Sequence, residues 1–262
     1  MTDNRGAGGI SLRAIPPNAI TVLALCFGLT GVRFAMSAAQ GDHRDWAWAI
    51  GCVVFAGVLD GIDGRLARLL KANSRFGAEL DSLSDNVAFG VAPALILFLW
   101  SLQYAPMLGW IAALALAVAC ALRLARFNSR IDADAQPHKS AGFLTGVPAP
   151  VGAGLSFLPV YLWLVTANPW FQSWQLVLPW AVFVALLMIS NVATYSWGSL
   201  RLRRAWRLMA LLGVGLLGTA LVTQPWLTLL AISAIYLGMI PFSVVAYARV
   251  RQRRAMPGAT AA

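Results

Sequence analysis

The sequence predicts an all-α, polytopic integral membrane protein, a bundle of about eight transmembrane helices with both termini in the cytoplasm. Of its 262 residues, 59% are hydrophobic and 11% are charged, which is more apolar surface than a soluble domain of this size buries. The apolar residues fall into windows of about 20, the length of helix that crosses a bilayer. Lys and Arg concentrate in alternate connecting segments, which is typical of cytoplasmic loops.

Eight windows qualify as membrane spans, and we expect one membrane domain, residues 15–250, to contain them. They are residues 16–39, 45–70, 80–102, 106–128, 147–167, 174–195, 206–223 and 226–248. No long linker or low-complexity block divides this region. Residues 1–14 lack the apolar core and cleavage site of a signal peptide, so we expect a flexible or interfacial N-terminus. Residues 251–262 are expected to form a basic C-terminal tail.

The formal net charge of +10 comes from basic residues spread over several short loops and the C-terminal tail. This distribution favours attraction to anionic membrane lipids over binding of nucleic acid. The longest polar interruption, residues 129–145, falls on the predicted cytoplasmic side. Both a lid over a site and a solvated connection are compatible with its composition.

Four aspartates lie where the second and third predicted spans approach the cytoplasmic face. On helices that turn by about 100° per residue, Asp60 and Asp63 share one face of the first helix, and Asp81 and Asp85 share one face of the next. Charge at a membrane boundary is costly and is more often functional than accidental. Converging carboxylates suit Mg²⁺ or Mn²⁺, and two such ions about 3.5–4 Å apart can clamp a diphosphate.

Small and basic residues accompany these aspartates. Gly64, Ala67 and Gly77 leave room for a substrate or for close helix approach. Arg68 offers a forked donor that matches phosphate oxygens. Simple pairing of the aspartates with arginines at the membrane edge is the alternative, and the combined spacing favours a functional site.

The segment from Asp60 to Asp85 resembles the signature of the CDP-alcohol phosphotransferase family, D-x-x-D-G-x-x-A-R-x8-G-x-x-x-D-x-x-x-D, at every defined position. The resemblance implies a helical membrane enzyme that transfers a substituted phosphoryl group from a CDP-linked donor to an alcohol and releases CMP. It implies divalent metal, with Asp60, Asp63 and Asp81 as ligands and Asp85 as both ligand and general base. The positions that it associates with the CDP moiety and its diphosphate are Asn18, Asp60, Gly64, Ala67, Arg68 and Gly77.

Three further segments resemble the phosphatidylserine synthase branch of that family, which implies CDP-diacylglycerol as donor and L-serine as acceptor. They are residues 84–93, 123–128 and 146–150. In that branch a serine commonly stands where this chain has Ala149, so the chain departs from the pattern at this position. Glycerol phosphate, inositol, inositol phosphate and choline therefore stay open as acceptors. Arg126, Asn128 and Lys139 are the candidate partners for the charged groups of serine.

The same resemblance implies a homodimer, in line with the frequency of twofold assemblies. We expect the protein in the bacterial inner membrane, with its site facing the cytoplasm. A non-catalytic cation transporter, in which buried acids relay ions, is the alternative from another class of protein. The concentration of the acids at one membrane face argues against a transporter.

Overall fold

A computed structural model describes residues 12–72, 74–105, 107–131, 143–190, 193–195 and 207–255. Its helices are α1 (Ile15–Ala39), α2 (Asp45–Leu69), α3 (Arg75–Asn86), α4 (Ala92–Trp100), α5 (Leu108–Ile131), α6 (Ala149–Ser156), α7 (Leu158–Thr166), α8 (Trp174–Ile189), α9 (Arg207–Thr223) and α10 (Pro225–Ala255). Two three-residue strands, β1 (Phe143–Thr145) and β2 (Ala193–Tyr195), pair antiparallel. The all-α fold class is confirmed apart from this short ladder, which the hydropathy pattern does not indicate.

Three predicted features fall wholly or partly outside the described residues. The N-terminus is described only from Leu12, which begins a single 3₁₀ turn before α1. Residues 132–142, which include Lys139 and most of the predicted lid loop, lie outside the described residues. The basic tail is described only as far as Ala255.

Among the residues that the structure describes, five helical segments are long and apolar enough to cross a membrane. They are Leu12–Ala39, Asp45–Leu69, Arg75–Trp100, Leu108–Ser129 and Pro225–Ser243. Helices α6 and α7 meet at 41° and add a sixth crossing if they form one bent span. Helix α8 has 16 residues and rises about 24 Å, less than the roughly 30 Å of a bilayer core. The chain is therefore an integral membrane protein, and the count of eight spans with both termini in the cytoplasm stays a prediction.

The bend between α6 and α7 has an identifiable cause. Pro159 has no N–H, so it cannot complete the helical hydrogen bond to the carbonyl of Leu155. The indole Nε1 of Trp180 donates to that carbonyl instead, at 2.9 Å. Backbone groups freed inside a membrane need such a partner, so α8 stabilises the break in the predicted 147–167 window.

Small residues bring helix α1 close to its neighbours. A Cβ added to Gly31 would lie 2.7 Å from the carbonyl oxygen of Ala49 in α2, and one added to Gly28 would lie 2.8 Å from the Cα of Ala88. Such contacts let helix backbones approach closely where lipid provides no hydrophobic drive for packing. They fix α1 against both α2 and the segment after α3, which places the first turns of α1 beside the acidic residues.

Helix α3 begins with a cap and continues into a wider turn. The hydroxyl of Ser74 accepts a hydrogen bond from the N–H of Gly77 at 3.0 Å, which satisfies one of the free donors at the helix start. Residues Val87–Val91 form a π-helical turn that leads into α4, so that Arg75–Trp100 is one continuous span. Turns of this kind are frequent at functional sites, and this one starts two residues after Asp85.

Candidate active site

Two helices bring the four motif aspartates together at matching depths. Asp63 lies six residues before the end of α2 at Leu69, and Asp81 lies six residues after the start of α3 at Arg75. One carboxylate oxygen from each of Asp60, Asp63 and Asp81 lies within 4.8 Å of the other two. Asp85 is in side-chain hydrogen-bond contact with Asp60. The spacing of the sequence therefore produces one acidic cluster, built from two helices.

Three carboxylate oxygens within 4.8 Å of one another are close enough to converge on one hard divalent cation. Carboxylates this close repel one another unless a cation or a proton intervenes. The charged groups that act on Asp60 are three other aspartates and Arg123. The arginines that sequence alone offered as structural partners, Arg65, Arg68 and Arg75, are exposed.

Thr21 holds one oxygen of the acidic cluster. Its hydroxyl Oγ1 lies 2.7 Å from Oδ2 of Asp63 and 3.1 Å from the carbonyl oxygen of Pro17. Because a hydroxyl has one proton, the shorter, charge-assisted contact is the stronger donor interaction. Both Thr21 and Asp63 are buried. Thr21 is therefore a positioning residue that orients the carboxylate of Asp63.

Replacement of Thr21 by Val should weaken divalent-metal binding by about 10-fold to 100-fold, the usual effect of losing an outer-shell partner. Mn²⁺ affinity of the purified protein, measured by electron paramagnetic resonance, reports the change, and Thr21→Ser should restore it. Thr30→Val is the matched control, because Thr30 lies on the same helix and its hydroxyl donates to the carbonyl of Cys26. Equal Mn²⁺ affinity in the Thr21 and Thr30 variants would contradict the role of Thr21.

The residues assigned to the CDP moiety occupy the side of the cluster near the connection between α2 and α3. A Cβ added to Gly77 would lie 3.0 Å from the side-chain oxygen of Asn18, so these two residues meet. A Cβ added to Gly64 would meet no atom within 4 Å, so Gly64 borders open space. Ala67 is half-buried and Arg68 is exposed in the last turn of α2. Their roles toward the nucleotide stay predictions.

Two of the residues predicted to bind serine lie near the end of α5. A guanidinium nitrogen of Arg126 donates to the carbonyl of Ile189 at 2.7 Å and so links α5 to the end of α8. The amide of Asn128 donates to the hydroxyl of Ser82 at 2.9 Å and links α5 to α3. Lys139 lies outside the described residues. The serine-binding roles of all three stay predictions.

Two residues at this site did not enter the sequence prediction of its machinery. Thr21 follows Asn18 by three residues and so lies on the same face of α1. This spacing could have indicated Thr21, but Thr21 lies outside the motif from Asp60 to Asp85. Arg123 interacts electrostatically with Asp85 and Asp60. It lies further from the end of its apolar helix than Arg126, and a charged residue inside such a helix is a signal of function.

Comparison with known proteins gives two family matches. The model of the family described as CDP-alcohol phosphatidyltransferase matches residues 14–188. A second model, described as CDP-alcohol phosphatidyltransferase 2, matches residues 205–241. The first match covers more than half of the chain and includes all four motif aspartates.

Several similar proteins carry the same name, CDP-diacylglycerol–serine O-phosphatidyltransferase. One from Mycobacterium leprae (strain TN) is 38% identical over 234 residues, which cover 88% of this chain and 74% of the relative. One from Mycobacterium tuberculosis (strain ATCC 25618 / H37Rv) is 36% identical over 240 residues, 92% of this chain and 81% of the relative. One from Helicobacter pylori (strain ATCC 700392 / 26695) is 33% identical over 180 residues, 67% of this chain and 70% of the relative.

Proposed function

The chain belongs to the CDP-alcohol phosphatidyltransferase family, and we propose that it transfers the phosphatidyl group of CDP-diacylglycerol to the hydroxyl of L-serine, giving phosphatidylserine and CMP. The observation that carries the proposal is the convergence of three carboxylates within 4.8 Å, with a fourth in contact, in a chain whose relatives are named for this reaction. The family predicted from the motif is confirmed. The proposal of serine as the acceptor rests on the names of those relatives.

The proposed metal site uses the carboxylates of both helices. Asp60, Asp63 and Asp81 would hold Mg²⁺ or Mn²⁺, with Asp85 at the edge of a two-ion site. Hard divalent cations prefer these oxygen ligands. When bound, the cations supply neutralisation of the diphosphate and of the charge on the departing CMP.

Asp85 is the proposed general base. It is the motif aspartate outside the group of three converging carboxylates, which leaves it available to accept a proton. As Asp85 takes the proton of the serine hydroxyl, the hydroxyl oxygen forms a bond to the phosphorus that carries diacylglycerol. The bond from that phosphorus to the bridging oxygen breaks, and CMP leaves with the electron pair.

The donor would lie with its head group in the cluster and its acyl chains among the helices. Arg68 would steady a phosphate oxygen, and Gly64 and Gly77 would allow the nucleotide to approach the backbone closely. The first turns of α1 lie against the same cluster, so we propose that the N-terminal end of α1 and the site share the cytoplasmic side of a bacterial inner membrane. A homodimer is the proposed assembly.

An acceptor screen tests the proposed reaction. Purified protein with CDP-diacylglycerol and Mn²⁺ or Mg²⁺ should form lipid with L-serine, and CMP should appear in equal amount. Glycerol phosphate, inositol, inositol phosphate and choline should support little turnover, because their charges differ from those of an amino acid. Thin-layer chromatography of the lipid product with radiolabelled acceptors measures this. A different favoured acceptor would overturn the serine assignment, and ion flux without CMP release would overturn the reaction class.

A further inference from the structure

We propose that Arg123 binds the carboxylate of the acceptor amino acid and thereby selects serine over alcohols that lack a carboxylate. The inference rests on the proposed function, and it identifies a specificity-determining residue within that site.

Arg123 lies inside the apolar helix α5. This helix continues to Ile131, eight residues after Arg123, so at 1.5 Å per residue Arg123 lies about 12 Å from that end. Asp63 and Asp81 lie six residues, about 9 Å, from the ends of their own helices. Arginine inside a membrane span is rare and faces a partner or a polar cavity, so this position calls for a specific interaction.

The surroundings of Arg123 place it on the Asp85 side of the cluster. Arg123 interacts electrostatically with both Asp85 and Asp60. Cys120, one turn earlier on α5, packs against the π-helical turn that follows Asp85, since a Cβ added to Gly90 would lie 2.8 Å from the Cβ of Cys120. Helix α5 therefore packs against the segment that follows Asp85, one turn before Arg123.

Several buried polar atoms of the described residues in this region have no hydrogen-bond partner. They include Nε of Arg123, Oδ1 of Asn86 and Oγ of Ser84. A buried guanidinium donor without a partner is costly, so it points to a missing acceptor. The contrast is Arg126, one turn further along α5, whose guanidinium already bonds the carbonyl of Ile189.

The chemistry of serine fits this position. When cations balance the four aspartates, Arg123 remains as a positive charge with an available donor, and a guanidinium binds a carboxylate through two parallel hydrogen bonds. Two carbon atoms separate the carboxylate carbon of serine from its hydroxyl oxygen. A carboxylate held by Arg123 therefore leaves the hydroxyl within reach of Asp85, the neighbour of Arg123.

The test compares Arg123→Gln and Arg123→Lys with the unaltered protein in steady-state kinetics. Loss of a charge-assisted hydrogen bond should raise the KM for L-serine by about 10-fold to 100-fold, and lysine should restore part of it. The KM for CDP-diacylglycerol should stay within about twofold. Discrimination between L-serine and ethanolamine, which has the hydroxyl and the ammonium but no carboxylate, should fall by the same factor as serine affinity. Arg33→Gln, an exposed arginine of α1, is the matched control.

Each other outcome has a defined meaning. A raised KM for CDP-diacylglycerol with unchanged serine discrimination would assign Arg123 to the donor phosphate and overturn the inference. Loss of discrimination in Arg126→Gln but not in Arg123→Gln would also overturn it. If Arg123→Gln fails to fold, an unchanged serine KM in Arg123→Lys contradicts the inference. Failure of the unaltered protein to use serine would instead refute the proposed function.

Discussion

Asp85→Asn is expected to lower kcat for phosphatidylserine formation by about 10³-fold or more, because general-base catalysis contributes up to about 10⁴-fold and Asp85 also borders the metal site. Asparagine has the same shape but cannot accept the serine proton. Asp85 contacts Asp60 without belonging to the group of three carboxylates, so much of the nucleotide site should persist in the variant. CMP release measures turnover, and calorimetric titration with CMP measures nucleotide binding.

Glu79→Gln is the matched control for Asp85→Asn. Glu79 lies on the same helix, is exposed, and faces away from Asp81 and Asp85 at 100° per residue. Its substitution should leave kcat within about twofold of the unaltered protein, as is usual for surface sites. A near-normal rate with serine in Asp85→Asn would show that another group accepts the proton.

Removal of divalent metal should lower activity by about 10³-fold or more, since metal neutralisation of transition-state charge contributes several kcal/mol. Chelation followed by desalting provides the metal-free protein, and Mg²⁺ or Mn²⁺ should restore phosphatidylserine formation. The physical reason is the cluster itself, because the carboxylates of Asp60, Asp63 and Asp81 repel a diphosphate when they are ionised and no divalent cation neutralises them.

The helical circular dichroism signal of the metal-free protein is the control for unfolding. It should change little, because α1, α2 and α4 pack through small and apolar residues away from the cluster. Full activity after chelation, with metal analysis showing none bound, would contradict a metal-dependent reaction.

Hydropathy was sufficient to locate the helices, because burial in lipid demands long apolar stretches with their backbone groups paired internally. Each of the eight windows contains helical residues, and the window at 147–167 contains a bent pair. The 80–102 window joins part of α3 to α4 through the π-helical turn, and the 174–195 window was too long, because α8 ends at Ile189 and β2 follows. The bend itself depends on Trp180 reaching the carbonyl of Leu155 from another helix. Such a contact depends on tertiary packing, which a one-dimensional pattern does not contain.

The motif spacing predicted which helix faces the four aspartates share. It did not predict which residues of other helices contact them. Three-residue and four-residue steps place Asp60 with Asp63 and Asp81 with Asp85 on single helix faces, and the two faces converge in the structure. The hydroxyl of Thr21 and the guanidinium of Arg123 come from other helices, α1 and α5. Their proximity to the acids follows from helix packing, whereas in the sequence they are isolated polar residues within apolar runs.

Mn²⁺ binding to the purified protein tests the central claim most directly, namely that carboxylates from α2 and α3 jointly hold a divalent cation. Electron paramagnetic resonance of free Mn²⁺ gives the affinity for the unaltered protein, Asp60→Asn and Asp81→Asn, with Asp45→Asn at the opposite end of α2 as control. We predict that Asp60→Asn and Asp81→Asn each lower the Mn²⁺ affinity by at least about 10-fold. A lost ligand should weaken binding at least as much as a lost residue that only orients a ligand, which usually costs about 10-fold or more. Unaltered Mn²⁺ affinity in both variants would contradict a shared metal site.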